Sequence, residues 1–133
     1  MESFNCLNCG NTKLIRGTTN FKNKYCDNKC QKDFEYKERI KNWGRKPPGK
    51  IAIKRFLAET FGSKCSVCGI SEWNSKPLVL ELEHKDGNGS NNSKENLCLI
   101  CPNCHSQTDT FKGKNRGNGR HIRRERYAAG KSC

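Results

Sequence analysis

Residues 78–113, LVLELEHKDGNGSNNSKENLCLICPNCHSQTDTFKG, decide the fold. The alternation of Leu78, Leu80 and Leu82 with Val79, Glu81 and Glu83 predicts a half-buried strand that ends at His84. The stretch that follows is rich in Gly, Asn and Asp, residues that favour turns. A second short apolar run covers residues 97–100. Cys101-Pro102-Asn103-Cys104-His105 then opens a helix, with Pro102 near the first helical position, where its missing N–H costs little. The expected order is strand, turn, strand, helix.

Working outward, Cys65-Ser66-Val67-Cys68-Gly69 forms a knuckle. Together with Cys101 and Cys104 it supplies two CxxC pairs separated by the strands and the turn, the spacing of a structural four-cysteine zinc site. Such a site contributes about 10–16 kcal/mol in small peptides, enough to dominate the stability of a domain with little core. Four thiolates complete a tetrahedron, so His105 is left for another task.

The order Glu83-His84, Asn96, Cys101-x-x-Cys104-His105, preceded by Cys65-x-x-Cys68, resembles the HNH endonuclease family in its zinc-stapled form, common among phage and mobile-element nucleases including homing endonucleases. The resemblance implies an α+β, zinc-stabilised chain built on a ββα-metal (His-Me finger) domain. It implies that His105 is a metal ligand, and that Glu83 occupies the position usually held by an Asp ligating the same divalent ion. It also implies that Asn96 hydrogen-bonds backbone across the loop and holds His84 in place. Glu81, on the same strand face as Glu83, is a rival ligand. Oxygen and imidazole ligands with open positions suit Mg²⁺ or Mn²⁺, with Ni²⁺ or Co²⁺ as softer alternatives. His84 is the candidate general base, because an imidazole titrating near neutrality is suited to taking a proton from the attacking water.

The rest of the chain is read as support. In 133 residues, 32% are hydrophobic and ten are Cys, which excludes a large core and calls for metal or covalent staples. The N-terminus lacks the apolar segment of a signal peptide, and no run is long enough to span a membrane, so a cytoplasmic protein is expected. In that reducing compartment CxxC pairs are read as zinc ligands before disulfides. The net charge of +13 implies a polyanionic partner, with duplex DNA foremost and no membrane or small-molecule cofactor.

Residues 1–45 carry Cys6-x-x-Cys9 and Cys26-x-x-x-Cys30, a second set of four thiols. They are read as an N-terminal zinc finger whose helix runs over 28–43, with Tyr36, Ile40 and Trp43 on one face and a stop at Gly44. Its lysines Lys22, Lys24, Lys29 and Lys32 are candidates for DNA docking. Residues 46–62 are a basic linker, with its prolines and glycines, followed by a helix over 50–61 in which Ile53, Phe56, Leu57 and Phe61 share a face. The nuclease domain is expected over 63–113 and a basic tail over 114–133, helical across 120–129. Arg45, Lys46, Lys50, Lys112, Lys114, Arg116, Arg120, Arg123, Arg124 and Arg126 are the candidate phosphate contacts. His121 is read as a further phosphate contact, Cys98 as a small buried hydrophobe and Cys133 as a free thiol.

Two zinc ions and one catalytic divalent ion are therefore expected, in a monomer or weak dimer that nicks DNA. A zinc-finger DNA- or RNA-binding regulator without nuclease activity is the competing reading, and a nuclease acting on RNA shares every charged feature.

Overall fold

The computed structural model describes residues 2–15, 24–115 and 128–130. These fall into two compact units, Met1–Pro48 and Gly49–Cys133. The expected linker is thus divided: residues 46–48 go with the first unit, and the helix after them with the second.

In the first unit, β1 (Ser3–Asn5) and β2 (Thr12–Leu14) pair antiparallel, with Phe4 opposite Lys13. Strands this short carry no readable periodicity, and neither was expected from the sequence. Between them the chain turns through the first knuckle. The Cys6 N–H donates to the Asn11 carbonyl at 3.0 Å and the Gly10 N–H to the Cys6 carbonyl at 2.8 Å. Gly10 sits at φ +73°, in the left-handed region that glycine enters without a Cβ clash. Helix α1 (Asn28–Lys41) starts where the Asp27 side chain caps the Cys30 N–H at 2.8 Å, so Cys26 and Cys30 flank its beginning. It ends two residues earlier than expected. The Asn42 backbone N–H and side-chain amide both donate to the Glu38 carbonyl, at 3.0 and 2.9 Å, and terminate the helix before Gly44 can. Trp43 lies in the turn beyond and is buried, whereas α1 itself has no fully buried residue.

The second unit begins with α2 (Lys50–Phe61), which has the expected bounds and closes on Gly62 at φ +87°. Ile53 and Leu57 are buried and the helix packs on β6 (Leu97–Ile100). Phe61, expected on the same apolar face, is instead exposed as the last residue of the helix. After the second knuckle, β3 (Glu72–Trp73) and β4 (Lys76–Pro77) make a two-residue hairpin around Asn74 and Ser75, both at positive φ, as a tight hairpin turn requires.

The strand expected from residue 78 begins only at Glu81. The Leu78 N–H bonds to the Ser71 carbonyl at 2.9 Å and is drawn out of the sheet. β5 (Glu81–His84) pairs antiparallel with β6, placing Glu83 opposite Cys98 and His84 opposite Leu97. Burial along β5 also departs from the simple alternation, because Glu83 is buried and Leu82 only half-buried. Cys98, read as a buried hydrophobe, is likewise half-buried. Helix α3 (Pro102–Ser106) follows at once, capped by Cys101 with Pro102 at its start, and contacts β5. The core lies between α2 and β6, where Leu57 and Ile100 are fully buried, joined by Cys65. The whole is a small mixed α/β chain.

Lys22, Arg116, Arg120, His121, Arg123, Arg124, Arg126 and Cys133 lie outside the described residues, as does most of the helix expected over 120–129. Among the described residues, no helix is long and apolar enough to cross a membrane.

Candidate functional site

Both sets of thiols expected from the spacing come together. Cys6, Cys9, Cys26 and Cys30 form one cluster and Cys65, Cys68, Cys101 and Cys104 the other, with all sulfurs of each within 4.8 Å of one another. Zinc bound to thiolates at about 2.3 Å in a tetrahedron places the sulfurs roughly 3.8 Å apart. The Cys9–Cys26 and Cys68–Cys101 separations of 3.5 and 3.9 Å suit that ion. The knuckles are built alike. The Cys65 N–H donates to Ile70 and the Gly69 N–H back to Cys65, repeating the bonds made by Cys6 and Gly10. The Cys26 N–H is aimed at the Cys6 sulfur, as the Cys101 N–H is at the Cys65 sulfur.

Electrostatics follow the same duplication. Burial pushes the Cys6 thiol up, but backbone N–H groups of Cys9, Cys26 and Asn8 outweigh it and hold the thiol down to about 6. Cys65 is likewise held at about 6, where burial is overcome by the N–H groups of Cys68, Cys101 and Val67. Burial and the neighbouring sulfurs of Cys9 and Cys6 push Cys26 up to about 12. Cys104 is pushed to about 12 by its bond to Cys101 and then by burial. In each cluster one thiol is held down while another is pushed up, a conflict that a dication bound between them would remove.

On β5, residues two apart share a face, so Glu81 and Glu83 project together toward α3. There they meet His105 from both sides. Its Nδ1 contacts Glu81, and its Nε2 lies 3.0 Å from Glu83 Oε2. Glu83 is the more enclosed carboxylate, its side chain 11% exposed against 45% for Glu81. The Thr110 hydroxyl donates to Glu83 Oε1 at 2.7 Å, leaving Oε2 directed at the imidazole. Phe111 meets the His105 ring edge-on with centroids 5.2 Å apart, and the Lys112 ammonium lies 4.9 Å over the Phe111 ring. The two carboxylates lie against opposite ring nitrogens, so Glu83 and Nε2 face one another while Glu81 stands on the far side of the ring, and the three do not converge on one point.

His84 follows directly as the last residue of β5. Its Nε2 lies 3.0 Å from Asn92 Oδ1 in the 85–96 loop. That loop is bound internally by Asn96, which is buried at the end of a 3-10 turn, Lys94–Asn96. Asn96 accepts the Asp86 N–H at 3.0 Å and donates to Asp86 Oδ1 at 2.9 Å and to the Asn91 carbonyl at 2.8 Å. The Asn91 side chain and the Asn88 N–H also bind the Asp86 carboxylate and, with Asn96, hold it below its usual range against the effect of burial. Spacing alone did not single out Asn92, Asp86, Asn91, Thr110 or Phe111. Nothing in the sequence marks them apart from an ordinary polar turn and helix end.

Among the described candidate phosphate contacts, Arg45 and Lys46 are exposed in the first unit and Lys50, Lys112 and Lys114 in the second. Lys24, Lys29 and Lys32 are also exposed.

Against this geometry, the chain is similar to the H-N-H endonuclease F-TflIV of Escherichia phage T5, with 45% identity over 84 residues. The match is to an HNH endonuclease. It covers 63% of this chain and 30% of the phage protein, so the chain matches less than a third of its relative's length. The HNH resemblance read from the order of Glu83, His84, Asn96 and His105 is borne out by this relative. No protein-family model matches the chain, and no solved structure matches it.

Proposed function

We propose that the chain is a divalent-metal-dependent HNH endonuclease that hydrolyses phosphodiester bonds of DNA, with β5, β6 and α3 as its ββα-metal unit. The observation that carries this reading is the approach of Glu83 Oε2 to His105 Nε2 at 3.0 Å, on the strand whose next residue is His84. Burying a carboxylate is costly unless a cation or hydrogen bonds compensate it. A zinc-finger binding module would need only the cysteine clusters and lysines and would gain nothing from Glu83 there.

In this reading Glu83 and His105 hold the divalent ion, with Glu81 supporting the far side of the imidazole. When bound, that ion supplies charge stabilisation for the extra negative charge at phosphorus and on the leaving oxygen. His84 takes the proton from the water that attacks the phosphorus. Asn96 fixes the loop that carries the partner of His84. Lys112, stacked on Phe111 beside His105, is placed to neutralise a phosphate near the scissile bond, and the exposed basic residues of both units supply further contacts. The two four-cysteine clusters hold structural zinc. One active centre per chain favours nicking by a monomer, and a reduced, cytoplasmic setting suits the thiols.

The test is incubation of the zinc-loaded chain with supercoiled plasmid plus Mg²⁺, Mn²⁺ or Ni²⁺, beside His84→Ala. Open circles are expected from the wild type. The variant is expected to bind DNA equally and cut about 10²–10⁴-fold more slowly. DNA binding without cleavage, on plasmid and on the source genome alike, would favour the binding-module reading instead.

A further inference from the structure

We propose that Asn92 sets the tautomer of His84, so that Nδ1 is the atom that receives the proton from water; the inference rests on the reading of His84 as general base. Asn92 Oδ1 lies 3.0 Å from His84 Nε2. A side-chain amide oxygen can only accept, so Nε2 carries the hydrogen. A neutral imidazole has one N–H, and its lone pair is then on Nδ1. With the opposite amide orientation, the NH2 group would face Nε2 and drive the proton onto Nδ1. No lone pair would remain for water, and the ring would be no base at all.

The backbone that carries Asn92 is tied on both sides. The Asn91 carbonyl accepts from Asn96 at 2.8 Å, and the Asn91 amide donates to Asp86 Oδ2 at 2.7 Å. The Ser93 N–H donates to Asn91 Oδ1 at 3.3 Å. The acceptor is therefore delivered at a fixed place by the same network that binds Asn96. An amide also suits a polyanionic substrate better than a carboxylate would. It orients the ring without adding a negative charge beside the phosphate. Asn92 is accordingly a positioning residue, acting through His84.

The test uses the full chain with zinc retained and its histidines labelled with ¹⁵N, held near pH 8, where an ordinary imidazole is neutral. Long-range proton–nitrogen correlation reads the tautomer, and His84→Ala identifies the His84 signals. The wild type is expected to show the Nε2–H form. Asn92→Asp keeps the acceptor and is expected to keep that form. Asn92→Leu is expected to lose its dominance and to lower kcat by about 10-fold or more, within the range of a general base's contribution, with KM unchanged. An Nδ1–H form in the wild type would overturn the proposal whether or not the variants fold. So would an Asn92→Leu chain with unaltered tautomer and rate while His84→Ala is inactive. Wild-type cleavage by His84→Ala would instead remove the general-base reading on which the proposal rests, a result separable from the tautomer measurement.

Discussion

Glu83 Oε2 lies 3.0 Å from His105 Nε2, joining a strand carboxylate to the imidazole of the helix that follows. Glu81, two residues earlier on the same face, closes on Nδ1 of the same ring. In the proposed reading one carboxylate shares an ion with His105 and the other orients the ring. Substitution should separate the two roles. Glu83→Gln is expected to abolish tight Mn²⁺ binding, followed by the resonance of free Mn²⁺ in the zinc-loaded chain. Glu81→Gln should weaken it by about 10–100-fold, as loss of an orienting partner does. A larger loss from Glu81→Gln would reverse the assignment.

Thr110 holds the second oxygen of Glu83. Thr110→Val keeps the shape and deletes the hydroxyl, and a hydrogen bond to a charged group is worth roughly 1.5–3 kcal/mol. Mn²⁺ affinity should fall by about 10-fold or more, with circular dichroism unchanged. Unaltered affinity would mean that the carboxylate is held by its other contacts.

Cys101 is buried, caps α3 and belongs to the second cluster. Cys101→Ser is expected to unfold the second unit and to reduce bound zinc from two ions to one, by metal analysis and circular dichroism. A folded variant retaining both ions would contradict this. Acid should act in the same direction, because zinc binds thiolates and protonation releases it as pH falls.

Asp86 has a carboxyl held below its usual range, first by Asn91 and then by the Asn88 N–H. A depressed folded value stabilises the chain fully above the unfolded carboxyl's range and loses that effect as pH falls through the folded value. Asp86 should consequently remain ionised throughout the range in which zinc is retained. The stability difference between wild type and Asp86→Asn should be flat from about pH 8 to pH 5, measured by urea denaturation with zinc present. A difference that shrinks across that window would place the titration higher.

The cysteine knuckles were legible in the sequence because thiol pairs at fixed spacing carry their chemistry with them. The bounds of α2 and β6 were equally clear, since an amphipathic helix and a compact apolar run each depend on local pattern. The end of α1 was less so. The stop was expected at Gly44, but the Asn42 side chain reaches back to the Glu38 carbonyl and ends the helix first. Period-two alternation in β5 showed two faces but not which would be enclosed. That depended on α3 bringing His105 against Glu83 and on Thr110 returning to the same carboxylate.

By itself the sequence determined the members of both four-cysteine clusters, the basic character of the chain and the order of Glu83, His84, Asn96 and His105, all properties of residue identity and short spacing. Only the tertiary structure decided that Glu81 and Glu83 grip one imidazole from opposite sides and that Asn92 meets His84. Those contacts join residues 8 to 24 positions apart. Chain closure, not local preference, brings them within hydrogen-bonding distance.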